Sequence, residues 1–142
     1  EGILPRKKIR IRSYNKDYNN YFFEKKISSY EGKFKLSNKL ESNAYKRLLK
    51  EGCLDEKYGM CYPLLKISYI RNYYKLKNLR FTFDKNIVYQ TLNKGLKVSD
   101  ETYVVELKSS NENDIITIDK IIPLTRKRFS KFSRAINYLN IQ

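Results

Sequence analysis

Lys8, Arg10 and Arg12 occupy every second position of Lys8-Ile9-Arg10-Ile11-Arg12, with isoleucines between them. Side chains of an extended strand alternate between faces, so this segment presents its cations on one side and its apolar groups on the other. The arrangement returns in Lys33-Phe34-Lys35-Leu36, in Leu79-Arg80-Phe81-Thr82-Phe83-Asp84 and, more briefly, in Val105-Glu106-Leu107-Lys108. Several such strands in one sheet make a continuous basic surface, and the chemistry of such a surface is the holding of a polyanion. Arginine's planar fork matches phosphate oxygens. Like charges about 4 Å apart repel by roughly 1 kcal/mol in water and about 4 kcal/mol at a half-buried site, so a concave basic wall is destabilising until an anion occupies it. The few acids on these faces, Glu24 and Glu106, each stand two residues before a lysine, Lys26 and Lys108. A carboxylate among cations is where a divalent metal would bridge protein and phosphate.

Composition points the same way. Thirty Lys and Arg against 15 Asp and Glu leave a charge of +15 on 142 residues. A codon bias toward Lys, Asn, Ile and Tyr would raise Glu as well, and the acids remain half as common as the bases. The excess therefore implies a polyanionic partner: nucleic acid, polyphosphate, nucleotide or anionic lipid. An ordinary solvated sheet face mixes its signs for cross-strand pairing, which these segments do not. Histidine is absent, which removes the usual general base and the commonest transition-metal ligand. No P-loop, dinucleotide fingerprint, zinc spacing or Ser/His arrangement is present. Tyr69, Tyr73, Tyr74, Phe81 and Phe83 are suited to base stacking, but aromatics in strands read first as core, and no RNA-binding signature accompanies them. Cys53 and Cys61 read as free thiols of a reducing compartment. No apolar stretch approaches the length of about 18 residues needed to span a membrane, and no signal peptide opens the chain. The expected compartment is the cytoplasm; the oligomeric state is not specified.

The elements that must position these residues are mostly strands. We expect them over Arg6–Tyr14, Tyr21–Ser29, Lys33–Ser37, Pro63–Leu76, Leu79–Thr91 and Thr102–Ser109, with a hairpin loop at Asn15 to Asn20 and tight turns at Glu31-Gly32 and Lys77-Asn78. A helix over Ser42 to Glu51 would take Ser42 or Asn43 as N-cap and stop at Gly52. A second should follow Pro123, burying a stripe of Phe129, Phe132, Ile136 and Leu139, with Lys127, Lys131 and Arg134 on a different side. Strands without regular βαβ alternation, plus two peripheral helices, imply an antiparallel α+β fold.

Taken in order, these segments resemble a known family. Lys8-Ile9-Arg10-Ile11-Arg12-Ser13-Tyr14 is similar to a basic strand ending in an aromatic, and Phe23-Glu24-Lys25-Lys26 to the acid-then-lysine strand after it. Ile67-Ser68-Tyr69-Ile70-Arg71 and Leu79-Arg80-Phe81-Thr82-Phe83-Asp84 resemble its paired arginine strands. Val104-Val105-Glu106-Leu107-Lys108 resembles its metal-binding strand, and Arg128-Phe129-Ser130-Lys131-Phe132-Ser133 its closing helix. The family is the VTC domain, the catalytic domain of polyphosphate polymerases of the vacuolar transporter chaperone type, within the triphosphate tunnel metalloenzymes.

The resemblance implies an antiparallel β-barrel of the triphosphate-tunnel type, lined by Lys and Arg. Polyphosphate or the triphosphate of ATP threads through it, and glutamate holds Mn²⁺ or Mg²⁺. Carried over, Lys8, Arg10 and Arg12 would face the phosphates from the first strand, Lys26 from the second, and Lys33 and Lys35 from the third. Arg71 and Arg80 would clamp the chain from the opposite wall, beside Lys108. Lys131 would reach the tunnel mouth or the terminal phosphate, and Arg71, Arg80 and Lys131 are the implied catalytic cations. Glu106 would be the metal ligand, with Glu24 as a second candidate. Strand parity selects most of these side chains independently, but not Arg71 or Lys131. Because Glu1-Gly2-Ile3-Leu4-Pro5 leads almost directly onto the basic strand, residues 1–142 are expected to be one tunnel domain lacking its first strands. The implied reaction passes the γ-phosphate of ATP to a growing polyphosphate. Two other readings stay open: hydrolysis of triphosphate by the same wall, and a polyanion-binding module without turnover. Nucleic acid is not the expected partner.

Overall fold

In the computed structural model, the described residues are 4–15, 20–111, 116, 118, 120, 125 and 127–141. The chain divides into two compact units, Glu1–Pro63 and Leu64–Gln142.

The first unit is built on a three-stranded antiparallel sheet of β1 (Arg6–Ser13), β2 (Tyr21–Ser28) and β3 (Lys33–Leu40), in that order. The hairpin loop expected between β1 and β2 lies largely outside the described residues. Between β2 and β3 the Ser29 amide donates to the Gly32 carbonyl at 2.9 Å, closing the expected turn. Helix α1 (Ser42–Glu51) follows β3 directly. Its N-cap is Glu41 rather than Ser42 or Asn43, and no side chain caps it: Glu41 stays extended as a continuation of the strand while its carbonyl accepts from the Tyr45 amide at 2.9 Å. Tyr45 stacks on the buried Tyr21 ring at 3.6 Å, which fastens the helix to β2. Gly52 ends the helix as expected, at φ 74°. A Cβ there would lie 2.5 Å from the Cys61 carbonyl oxygen, so only glycine admits this approach.

The Cys61 strand belongs to a hairpin the sequence did not reveal, β4 (Cys53–Asp55) with β5 (Gly59–Cys61). Three residues are too few to display a period of two. Cys53 and Cys61 face each other across it as free thiols.

The second unit centres on β7 (Leu79–Thr91), which pairs with β6 (Leu65–Leu76) along its length. Lys77, at φ 51°, makes the expected two-residue turn between them. The far half of β7 also pairs with β8 (Lys97–Asp100), which sequence reading missed, and its near half with β9 (Val104–Ser109). Register shifts between Ser68 and Ile70, opposite Asn86 at φ 52°. This bulge inserts one residue into β7 and reverses its parity. Thr82 and Asp84 before it therefore share their buried side with Ile87, Tyr89 and Thr91 after it.

Helix α2 (Lys131–Tyr138) packs on that side. Ala135 and Leu139 close with Ile87 and Tyr89 to form the core, ringed by Leu65, Ile67, Tyr69, Val98, Val104 and Ile141. The Ser130 side chain accepts from the Ser133 amide and caps the helix; the expected opener, Pro123, lies outside the described residues. The buried stripe differs from expectation. Phe132 is 51% exposed, whereas Lys131 and Arg134 turn toward the sheet, because Asp84 and Asp100 are buried there and draw them in. Likewise Tyr73 and Tyr74 are exposed rather than core.

The architecture is antiparallel α+β. Among the described residues the sheets are open, in the orders β1-β2-β3, β4-β5 and β6-β7-β8 with β9 on β7, and none closes on itself as a barrel. No helix among them is long and apolar enough to cross a membrane.

Candidate phosphate-binding faces

Register decides which side chains of the first sheet share a face. Lys8 lies opposite Lys26, Arg10 opposite Glu24, and Arg12 opposite Phe22. Across the next pair, Lys26 lies opposite Lys35, Glu24 opposite Ser37, Phe22 opposite Lys39 and Ser28 opposite Lys33. Directly opposed residues project to the same side. One face thus gathers Lys8, Arg10 and Arg12 with Lys26, Lys33 and Lys35, and adds Arg6 and Lys39, which the sequence reading did not single out.

Among the described residues, Glu24 is the one carboxylate beside these cations on that face, and it is only 3% exposed. Arg10 reaches its Oε2 at 2.6 Å and Arg12 the same oxygen at 3.8 Å, while Lys35 meets Oε1 at 2.8 Å. Burial by itself would raise this carboxyl. Hydrogen bonds from Lys35 and Arg10, with the charges of Arg10 and Arg12, outweigh it and hold the pKa down at about 2. Lys8 shows the opposite crowding: partial desolvation, then the like charges of Arg6, Lys26 and Arg10, depress its ammonium below the ordinary value.

The cations on the other face are treated differently. Lys7 donates to both oxygens of the buried Asp55, at 2.9 and 3.1 Å, and Lys25 reaches Oδ2 at 3.5 Å. The Asp55 carboxyl is held at about 2, first by the Lys7 hydrogen bond and, against the opposing effect of burial, by the Lys57 amide. Here two bases meet one fully committed acid. On the basic face a single acid serves three bases and leaves the rest in excess.

In the second unit Lys75, Arg80 and Lys108 form a row straight across β6, β7 and β9. All three are exposed, and among the described residues no ion pair involves Lys75 or Arg80. Lys75 follows Arg71 and Tyr73 at alternate positions, a signal that could have found it. Glu106 lies opposite Thr82 and pairs with Lys108 at 3.0 Å. The Thr82 hydroxyl is buried on the same face and has no hydrogen-bond partner among the described residues.

Arg71 stands opposite Asp84 and grips it with two hydrogen bonds, Nε to Oδ1 at 2.5 Å and Nη2 to Oδ2 at 2.7 Å. Lys131 of α2 donates to the same Oδ2 at 2.5 Å. Burial would raise the Asp84 carboxyl, but the hydrogen bonds from Arg71 and Lys131 bring it below its usual value. One turn on, Arg134 forks onto Asp100 at 2.8 and 3.0 Å and reaches the Thr102 hydroxyl at 2.7 Å, while Tyr89 donates to Asp100 at 2.7 Å. This second pair fastens the helix to β8. Asp84 and Asp100 are the buried partners of these cations, to which the sequence reading gave no role, since a lone Asp in a strand carries no pattern.

The two carboxylates considered for a metal are placed unequally. Glu24 is enclosed and already engaged by Arg10, Arg12 and Lys35. The Glu106 side chain is 45% exposed and engaged only by Lys108 among the described residues. No group of three or more candidate ligands converges among those residues. Mg²⁺ is held by one or two carboxylates where substrate phosphates and water complete its shell, and Glu106 suits that role.

The structure therefore brings Lys8, Arg10, Arg12, Lys26, Lys33, Lys35 and Glu24 onto one face of the first unit. It brings Arg71, Arg80, Lys108, Lys131 and Glu106 to one side of the second. No curated protein and no solved structure matches the chain. A family model described as the VTC domain matches residues 1–140, essentially the whole chain, and the chain belongs to that family.

Proposed function

We propose that the protein holds inorganic polyphosphate on its cationic sheet faces and extends it with the γ-phosphate of ATP. The observation that carries this reading is the sorting of charge in the first unit: among the described residues, Lys7 and Lys25 on one face share Asp55, whereas eight bases on the other share only Glu24. Membership of the VTC family, which is linked to polyphosphate metabolism, supports the same substrate class. The tunnel-type barrel that the family resemblance implies is part of this proposal.

In the proposed step a terminal oxygen of the polyphosphate attacks the γ-phosphorus. The bond from that phosphorus to the β-bridging oxygen breaks, and ADP leaves with the electron pair. Such transfer asks the protein for positioning and charge rather than covalent chemistry, which suits a chain without histidine. Lys8, Arg10, Arg12, Lys26, Lys33 and Lys35 hold the polymer. Arg71, Arg80 and Lys131 offset charge on the transferring group, with Lys108 beside them. Mn²⁺ or Mg²⁺ at Glu106 would supply further neutralisation of phosphate oxygens.

The test is incubation of the protein with ATP and Mn²⁺, with product resolved by phosphorus NMR and by gel staining for polymer. Accumulation of a phosphoanhydride polymer together with ADP is expected, and Glu106→Gln should abolish it. Orthophosphate without polymer would instead assign a triphosphate hydrolase. Tight, salt-sensitive binding of polyphosphate without turnover, unchanged in Glu106→Gln, would assign a binding module.

A further inference from the structure

The strongest unassigned feature is the acid between two of the proposed catalytic cations. Asp84 is 1% exposed and receives three hydrogen bonds, two from Arg71 and one from Lys131. The Tyr69 ring supports both cations from below: the Lys131 ammonium lies 4.6 Å from its centroid and the Arg71 guanidinium carbon 5.3 Å. Neither cation is sealed off, for their side chains keep 16% and 20% exposure. Arg71 also has a side-chain hydrogen bond with Tyr73, which leaves two of its five N–H bonds, as Lys131 keeps two of its three, while the cluster keeps one net positive charge.

We propose that Asp84 is a positioning residue, which pre-sets Arg71 and Lys131 so that their remaining donors meet a phosphate group without prior ordering. This inference rests on the phosphate-binding reading above. Long cationic side chains lose rotamer freedom when they bind, and Asp84 makes that loss occur on folding. The fork also orients the guanidinium plane, which a point charge would not do. Asp84 itself touches no substrate.

The sign of one experiment separates positioning from plain electrostatics. Asp84→Asn adds one unit of positive charge beside the anion, so a purely electrostatic role predicts tighter binding of tripolyphosphate. Positioning predicts weaker binding, by roughly tenfold or more, measured by titration calorimetry at constant ionic strength. A purely structural role predicts a lower melting temperature with affinity unchanged. Equal or tighter binding by Asp84→Asn overturns the proposal. If that variant does not fold, the parent protein decides: the Arg71 Nε–H resonance should be resolved before tripolyphosphate is added and persist at saturation. Loss of that hydrogen bond on saturation would show that Asp84 competes with the anion, and would equally overturn the proposal. A parent protein that binds no tripolyphosphate would sink the phosphate-binding reading itself, a distinguishable failure.

Discussion

Lys131 and Asp84, 47 positions apart in the chain, meet at 2.5 Å and tie helix α2 to strand β7. Substituting Lys131→Met keeps the aliphatic stem and removes the charge. Asp84 would still be matched by Arg71, so the cost should be that of one charged hydrogen bond, about 1.5–3 kcal/mol. Hydrogen exchange checks this locally. Amides of 135–139 should lose protection while those at the centre of the first sheet do not.

Arg80 differs because it is exposed and lies between two lysines directly across the sheet. Arg80→Ala relieves like-charge repulsion in the empty protein, so the melting temperature should be unchanged or slightly higher. Binding of tripolyphosphate should weaken tenfold to a hundredfold, as for loss of a charge-assisted contact of about 1.5–3 kcal/mol. A variant that binds as well as the parent would remove Arg80 from the wall.

Glu24→Gln leaves three cations without their shared acid. The Arg10 and Lys35 side chains are about half exposed, at 49% and 53%, and can turn to water. The destabilisation should therefore fall below that of a fully buried broken pair, at about 1–2 kcal/mol, read from the urea midpoint. Polymer synthesis should fall with it, through disordering of Arg10 and Lys35.

Acid sensitivity follows from the same carboxylates. Glu24 titrates at about 2 rather than its ordinary 4.5, and Asp55 at about 2 rather than 3.8, while Asp84 and Asp100 are also lowered. A folded pKa below the unfolded one contributes stability that is complete above the unfolded value and is lost as pH falls toward the folded one. The urea midpoint should be flat from pH 7 to about 5 and then fall steadily between pH 4.5 and 2. A midpoint unchanged across that lower window would contradict these ion pairs.

The core offers a control away from all charge. Ile87 is fully buried against Tyr89, Ala135 and Leu139, and Ile87→Ala should cost about 2–5 kcal/mol while the parent-like affinity for tripolyphosphate persists in the folded fraction.

Alternation by itself determined a great deal about this protein. A period of two is visible in a strand of six or more residues with one buried side, so β1, β7 and β9 could be read from the alternation around Lys8, Arg10 and Arg12, around Arg80, and around Glu106 and Lys108. The short strands β4, β5 and β8 could not, since three or four residues hold no period. Only tertiary structure decided which cations are matched by acids. Lys7 and Lys8 look alike in the chain, yet one meets Asp55 and the other faces Arg6, Lys26 and Arg10, because strand register and a hairpin 48 residues away place the carboxylate. The bulge at Asn86 likewise set Asp84 and Tyr89 on one side of β7, and that parity change drew Lys131 inward where helical periodicity had assigned Phe132. A pattern in sequence reports a side chain's neighbours along its own element; ion pairs are made between elements, and their partners are fixed by packing.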